Sequence, residues 1–556
     1  MDVDNQAGKE LETVASLREM FSQACNAHAS LTAFSCEGAR ISYRRLGIYS
    51  DRFAAWLLRE STLEAGDRIA IQLPNLIQYP VVVLGVIKAG MVIVNINPLY
   101  TAGETERQLR DSGARMLVTL EEILPVSSRI LPGTDIEKVV VTRPPDLHPW
   151  PYRAAYAVHR KVRQRHQQSV RFSGRVEFGR VLGRGKKLLA RSPLEENTAA
   201  TTGNKNGVEL GLIQYTGGTT GAARGVMLSH HNLLANMHQL DSAIETNCPP
   251  AGSVILAPLP LYHIYAFTLN ILYSLYRGYH GILVPDPRDT NKLIRTIGRH
   301  KIHGLVGIST LFNLLCSHPD FSKLDFSNLR ICTSGGMELS VRTARRWEKL
   351  TGCRIIEGYG LTETSPLAVS GNFIEHREGK IGKPTLWTEI KVVDDEGRSL
   401  PAGQPGEILI RGPQVMMGYW NQPGETRAAL KDDGWLHSGD VGILDEEGFL
   451  TVVDRIKDMI LVSGFNVYPA EIEDHVTGHP DIREAAAIGI PLEEGESVKL
   501  FVISDNPNLT EDDVIQYCRQ GLTPYKVPGK VEFRATLPRS NLGKILKRQL
   551  RDDQAA

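Results

Sequence analysis

Apolar residues follow two rhythms along this chain. Short unbroken runs such as "MVIVNINP" and "GILVPD" stop at Asn, Pro or Asp, the pattern of strands buried on both faces. Between such runs lie longer stretches, "SYRRLGIYSDRFAAWLLRE" among them, that read as helices. The alternation predicts parallel α/β units. Residues 70–87 carry no charge, which raises the question of a membrane span, but Gln72, Pro74, Asn75, Gln78 and Pro80 interrupt the first half. That stretch reads as a buried strand or helix of an α/β core, and no transmembrane span is expected.

The rhythm changes near 385–425. In "EIKVVDDEGRSLPAGQPGEILIRGP" β-branched runs are broken by Asp-Glu-Gly and Pro-Ala-Gly turns, which predicts an antiparallel sheet or a small β-barrel. A further turn, "DEEGFL", leads into "TVVDRIKDMILVSG", and the last hundred residues read as a small α+β unit. The expected organisation is a large N-terminal domain, 1–454, of parallel α/β subdomains with the small barrel, followed by a small C-terminal domain, 455–556. With no long Gly/Ser linker between them, a short hinge near 454–457 is expected. There is no internal repeat.

At 556 residues the chain is too long for one core. Its 42% apolar and 23% charged content is that of an ordinary soluble globular protein. A formal net charge of zero argues against a dedicated nucleic-acid binder. Seven scattered cysteines, none in a CxxC pair, suit a reducing compartment better than a disulfide framework. The N-terminus "MDVDNQAGKELETV" lacks the basic and apolar regions of a signal peptide. A cytoplasmic location is therefore expected. Basic residues crowd 152–191, where Glu177 is the sole acid. The segment reads either as a solvated surface insertion or as a patch drawn to anionic membrane or anionic substrates.

Candidate chemistry starts at "IQYTGGTTGAARGVMLSH", 213–230. Gly217, Gly218 and Gly221 can bring backbone N–H groups close to an anion. Thr216, Thr219 and Thr220 add hydroxyl donors, and Arg224 adds charge. A strand end and a helix follow, with Ser229 as the candidate N-cap. The loop lacks the GK[ST] of a Walker A and the GxGxxG of a dinucleotide fold. No G-x-S-x-G elbow occurs in the chain. The loop alone fits a phosphate site or a flexible turn.

Four further segments occur in order: "EGYGLTETSP" (357–366), "GWLHSGDVG" (434–442), "DRIKDMILVSGFNVYPAEIE" (454–473) and "PRSNLGKILKRQLR" (538–551). Together with the loop they resemble the acyl-adenylate-forming superfamily across nearly the whole chain, most weakly in 152–205. "PNLIQYPVVVLGVIKAGMVIVNINPLYT" and "LPLYHIYAFTLN" look most like bacterial long-chain fatty-acid–CoA ligases. The resemblance implies ATP, Mg²⁺ and coenzyme A as cofactor and co-substrates, and a fatty acid as the acyl substrate. It implies that the 216–224 loop holds the β- and γ-phosphates, with Arg224 where the family usually has lysine. Thr216 and Glu363 match the magnesium-associated positions. Gly358, Tyr359, Gly360 and Thr362 belong to the nucleotide motif, with Tyr359 against adenine. Asp440 would take the ribose hydroxyls, assisted by Arg455.

Lys544 matches the lysine that meets the α-phosphate during adenylation. Lys457 matches the hinge about which the small domain rotates, bringing Gly464 to the site with room for pantetheine. His263 matches a motif histidine near the carboxylate and thiol channel. Phe267 would sit at the mouth of the acyl tunnel and Gly335 and Gly336 would wall it, although "SGGMELS" lacks the proline that commonly follows. The expected activity is that of an AMP-forming fatty acyl-CoA synthetase. A free-standing acyl-AMP ligase serving a carrier protein, an aryl or medium-chain acid CoA ligase, and a catalytically silent fatty-acid binder at the membrane are the alternatives. The family includes dimers, and the oligomeric state stays open.

Overall fold

In the computed structural model the described residues are 16–154, 156, 174–194, 209–216, 223–244, 247–462, 465–492, 496–540 and 543–555. Among them the strands form two large sheets, two smaller ones and a hairpin. The first large sheet has a parallel centre: Met116–Leu120, Arg68–Gln72, Val92–Asn95 and Leu210–Thr216 lie side by side, with Lys138–Thr142 beyond. The second sets His280–Leu283, Val254–Ala257, Gly304–Gly307, Ile331–Gly335 and Ile355–Tyr359 in parallel. Most central strands are buried along their whole length, for example Val92–Asn95 and His280–Leu283. Helices covering both faces leave such strands no solvent side, which is why they read as continuous apolar runs.

The uncharged stretch 70–87 divides as its composition requires. Its start lies in the strand Arg68–Gln72 and most of the remainder in the helix Gln78–Lys88, every residue of which is buried. Helix Tyr43–Glu60 begins at Ser42, whose hydroxyl accepts from the Arg45 N–H, a cap that satisfies one donor of the first turn. Among the described residues no helix is long and apolar enough to cross a membrane. All seven cysteines are free.

The antiparallel element lies where the turn chemistry placed it. Glu389–Val393, Pro405–Arg411, Leu436–Leu444 and Leu450–Arg455 pair in that order. They form an open four-stranded sheet: among the described residues no ladder joins the two outer strands into the expected barrel. Beyond it, Ile482–Pro491, Glu496–Ser504 and Lys530–Phe533 form a three-stranded sheet. Its core is built from Ile460, Ile472, Val476, Leu500, Val502 and Val514 and their neighbours, apart from the main core.

Asn75 ties the two large sheets together. It leaves the first sheet just after Arg68–Gln72 and is 3% exposed. Its amide nitrogen donates to the Ala257 and Leu259 carbonyls at 3.2 and 2.8 Å, and its oxygen accepts from Leu261 N–H at 3.0 Å. All three partners precede His263. Asn75→Ala removes the side-chain partner of the Leu259 carbonyl and the Leu261 N–H, while the Ala257 carbonyl keeps Val284 N–H, and each unmet buried group costs about 1–3 kcal/mol. We therefore expect a loss of about 3 kcal/mol in denaturant unfolding of the N-terminal transition, with no change in the unfolding of the C-terminal core.

Candidate active site

The phosphate-loop candidate spans the turn of an antiparallel hairpin. Strand Leu210–Thr216 enters it and Arg224–Ser229 leaves it, with Thr216 directly opposite Arg224. Gly217, Gly218, Thr219, Thr220 and Gly221 lie outside the described residues, as does Gly464. The predicted cap forms: Ser229 Oγ accepts from Asn232 N–H at 3.0 Å, at the start of helix His230–Ile244. Asn232 in turn donates to the Pro413 and Val415 carbonyls, both at 2.8 Å, so the helix start also anchors the segment leading to Tyr419.

Arg224 is engaged on two sides. Its Nη2 lies 2.6 Å from Glu425 Oε2, and its guanidinium stands 5.3 Å from the centre of the Tyr419 ring. The Tyr419 hydroxyl donates to Glu363 Oε1 at 2.8 Å. Glu363 sits in the short turn Thr362–Thr364, packed beside strand Arg224–Ser229. Thr216, Arg224 and Glu363 are thus gathered at one end of the first large sheet, although 147 residues separate the first from the last (363 − 216). Among the described residues no group of three or more His, Cys, Asp or Glu side chains could hold a metal on its own. A single carboxylate suits magnesium, which is commonly held by one or two carboxylates, water and substrate phosphates.

A second cluster surrounds Asp440, which is 4% exposed. Strand pairing sets Asp440 opposite Arg455, and Arg455 Nε lies 3.1 Å from Oδ1. The Tyr359 hydroxyl donates to Oδ2 at 2.8 Å. Tyr359 ends strand Ile355–Tyr359 between Gly358 and Gly360. Two ionised oxygens offer about four acceptor sites, so the carboxylate can still receive two hydroxyls from a ligand. Lys457 lies in the turn Ile456–Asp458, whose Asp458 Oδ1 is 2.9 Å from Arg551.

Lys544 joins this cluster from the far end of the chain. The turn before it is closed by Ser540 N–H donating to the Lys544 carbonyl at 2.7 Å, and Arg539 donates to the Gly543 carbonyl at 2.5 Å. Gly543 has φ +79°, and a Cβ there would stand 3.2 Å from Thr310 Oγ1. The turn therefore packs against the start of helix Ser309–Ser317, which follows strand Gly304–Gly307. Burial pushes the Lys544 pKa down to about 8; Arg455 and Lys457 act in the same direction, while Asp440 and Asp458 oppose them. A cation held with this little solvation has unused capacity for an anion.

His263 precedes the short helix Ile264–Ala266 and accepts from Tyr265 N–H through Nδ1 at 3.3 Å. Burial lowers its pKa to about 4. Near pH 7 it is neutral, and acceptance at Nδ1 assigns its proton to Nε2. Phe267 opens the π-helical turn Phe267–Tyr273 and is fully buried. Gly335 ends its strand facing Tyr265, 3.3 Å from where its Cβ would lie, and Gly336 follows at φ +79°, a conformation that favours glycine.

A model of the AMP-binding enzyme family matches residues 21–420, and one of the AMP-binding enzyme C-terminal domain matches 471–544. The chain belongs to the AMP-binding enzyme family. It is 42% identical to a long-chain-fatty-acid–CoA ligase of Escherichia coli O6:H1, over 97% of this chain and 94% of that protein. The same identity and coverage hold for the Salmonella typhimurium protein of that name. Among solved structures, ATP-bound MatB from Rhodopseudomonas palustris superposes with a TM-score of 0.80 at 27% identity, covering 97% of this chain and 99% of that one. The fold is the mixed α/β fold of this family, with its large N-terminal and small C-terminal parts.

Several members of this constellation are absent from the sequence reading. Tyr419 and Glu425 lie in "GYWNQPGET", which carries no pattern of its own. Gln214, inside the quoted loop segment, donates to the Tyr262 carbonyl at 2.9 Å and so links the phosphate strand to the His263 segment. Glu338 and Glu357 also escaped notice. Partial burial, then the carboxylates of Asp474, Glu357, Glu473 and Asp454, push Glu338 up to about 7, although its side chain still reaches solvent. Burial alone raises Glu357 to about 7. The carboxyls of Glu338 and Glu357 thus lie near those of Asp474 and Glu473 on helix Pro469–Thr477.

His263 makes folding sensitive to acid. Its folded pKa of about 4 lies below the ordinary 6.5, so the unfolded chain binds a proton first and stability falls as pH drops from about 6.5 toward 4. His263→Asn should remove on the order of 2 kcal/mol of that loss, measured as the difference in unfolding free energy between pH 7 and pH 4.5. An identical pH dependence in both proteins would contradict a neutral, buried His263.

Proposed function

We propose that this protein is an ATP-dependent fatty acyl-CoA synthetase. What carries this reading is the meeting of Lys544 with the Asp440–Arg455–Tyr359 cluster, in a chain matched along 97% of its length by relatives named as long-chain-fatty-acid–CoA ligases. A carboxylate acylates poorly because oxide is its leaving group. In the proposed first step a carboxylate oxygen attacks the α-phosphorus of ATP, and pyrophosphate leaves. In the second a thiolate attacks the acyl carbon, and AMP leaves with the bonding pair.

In this reading Asp440 and Arg455 hold the ribose and Tyr359 borders the adenine. Thr216, Arg224 and the glycine-rich loop take the β- and γ-phosphates, and Lys544 meets charge developing on the α-phosphate. Magnesium, held through Glu363 and the phosphates, would neutralise triphosphate charge. Neutral His263 keeps an N–H donor near the carboxylate without adding a cation. The boundary falls at 454/455, with rotation at Lys457 withdrawing Lys544 and admitting coenzyme A beside Gly464. A few φ/ψ changes at one turn suffice for such gating. Helix Phe178–Arg191 buries Phe178, Val181 and Leu182 and exposes Arg180, Arg184, Lys186, Lys187 and Arg191. That exposed face supports a peripheral contact with anionic membrane.

The decisive assay is ATP–pyrophosphate exchange with oleate, followed by AMP release on adding coenzyme A. Exchange together with thioester is expected; absence of exchange with every lipid acid removes the reading. Lys544→Ala should slow adenylation about 100-fold, the scale of one lost charge-stabilising donor, while sparing thioester formation from supplied oleoyl-AMP. The working form of Lys544 is protonated and its pKa lies near 8. The kcat/KM for ATP should therefore fall as pH rises through about 8. Lys544→Arg should abolish that limb, since a guanidinium stays charged, and a limb that persists in this variant assigns it elsewhere.

A further inference from the structure

We propose that Tyr419 is a positioning residue that keeps Arg224 and Glu363 apart and fixes the carboxylate for the metal-bound triphosphate. This rests on the ligase reading above and adds to it a residue with no assigned role. Tyr419 is 5% exposed and its backbone is fixed on both sides. It stands opposite Val226, its N–H donates to Thr426 Oγ1 at 2.9 Å, and Trp420 N–H donates to the Gly225 carbonyl at 2.7 Å. One turn further back, Met416 N–H donates to the Glu363 carbonyl at 2.9 Å. The same short segment therefore holds the strand that carries Arg224 and the turn that carries Glu363.

Opposite charges meet on this ring. The guanidinium lies over one part of it at 5.3 Å, and the hydroxyl takes Glu363 Oε1 at 2.8 Å. Without the ring, a cation and an anion this close in a partly buried site would pair with each other. Such a pair would neutralise both groups that the triphosphate and its metal need. The ring separates them, and Glu425 supplies a countercharge for Arg224 at 2.6 Å. The arrangement suits an arginine at position 224. A planar guanidinium can lie over the ring and reach Glu425 at once, whereas an ammonium is a point charge without a face to stack. A carboxylate already oriented before the ligand arrives spends no reorganisation at the moment of binding.

The test uses the full chain and Tyr419→Phe, which keeps the ring under Arg224 and removes the hydroxyl. Manganese binding to the complex with α,β-methylene-ATP, followed by electron paramagnetic resonance, reads metal affinity without turnover. Pyrophosphate exchange against magnesium concentration reads it with turnover. Tyr419→Phe should weaken manganese binding about fivefold and raise the half-saturating magnesium concentration by the same factor. The KM for oleate, the rate of thioester formation from supplied oleoyl-AMP and the melting temperature should stay as in the parent. Tyr419→Leu, which removes the ring as well, should weaken manganese binding at least tenfold. Unchanged manganese affinity in Tyr419→Phe overturns the proposal, and so does a lowered melting temperature with equal loss of both half-reactions. A parent protein that exchanges no pyrophosphate yet binds manganese with the analogue counts against the ligase reading, and the manganese titration then still decides the role of Tyr419.

Discussion

The junction of the small antiparallel sheet with the second large sheet is organised by one buried carboxylate. Asp440 has almost no contact with solvent, and an isolated ionised carboxylate in that position would be very costly. It is held because Arg455 faces it across the ladder and the Tyr359 hydroxyl caps its other oxygen. Those two partners come from different sheets. Satisfying one charge therefore pins the edge strand of the small antiparallel sheet to the end of the second large sheet. The same negative charge opposes the lowering of the Lys544 pKa by burial and by Arg455. Removing one member of such a set leaves the others uncompensated.

The two large sheets supply the rigidity that this cluster needs. Their parallel centres are buried on both faces, and Asn75 joins one to the loop that carries His263. Gln214 makes a second link between the phosphate strand and that loop. Thr216, Arg224 and Tyr359 thus stand at strand ends, the position where ligands bind in parallel α/β sheets.

Much of this was legible in the order of residues. The helix over 43–60, the buried halves of 70–87 and the Ser229 cap follow from local periodicity and capping chemistry, which act over three to five residues. The motifs named Asp440, Glu363 and Lys544 because each sits in a distinctive local string. Tyr419 and Glu425 could not be found that way. Tyr419 meets Glu363 across 56 positions, and Glu425 meets Arg224 across 201 (425 − 224). No spacing rule reaches so far. Near 385–425 the turns predict an antiparallel sheet or a small barrel, and the strands form the open sheet: turn residues predict that strands will be antiparallel neighbours, whereas closure depends on whether the first and last strands meet.

Glu338 and Glu357 lie where the second large sheet faces helix Pro469–Thr477, and both carboxyls titrate near neutrality rather than near 4.5. Glu338 already reaches solvent, and part of its raised pKa comes from the Asp474 and Glu473 carboxylates of that helix. Moving the helix away would lift that repulsion and let Glu338 release its proton more readily, so protonation of this one side chain would favour apposition as pH falls through about 7.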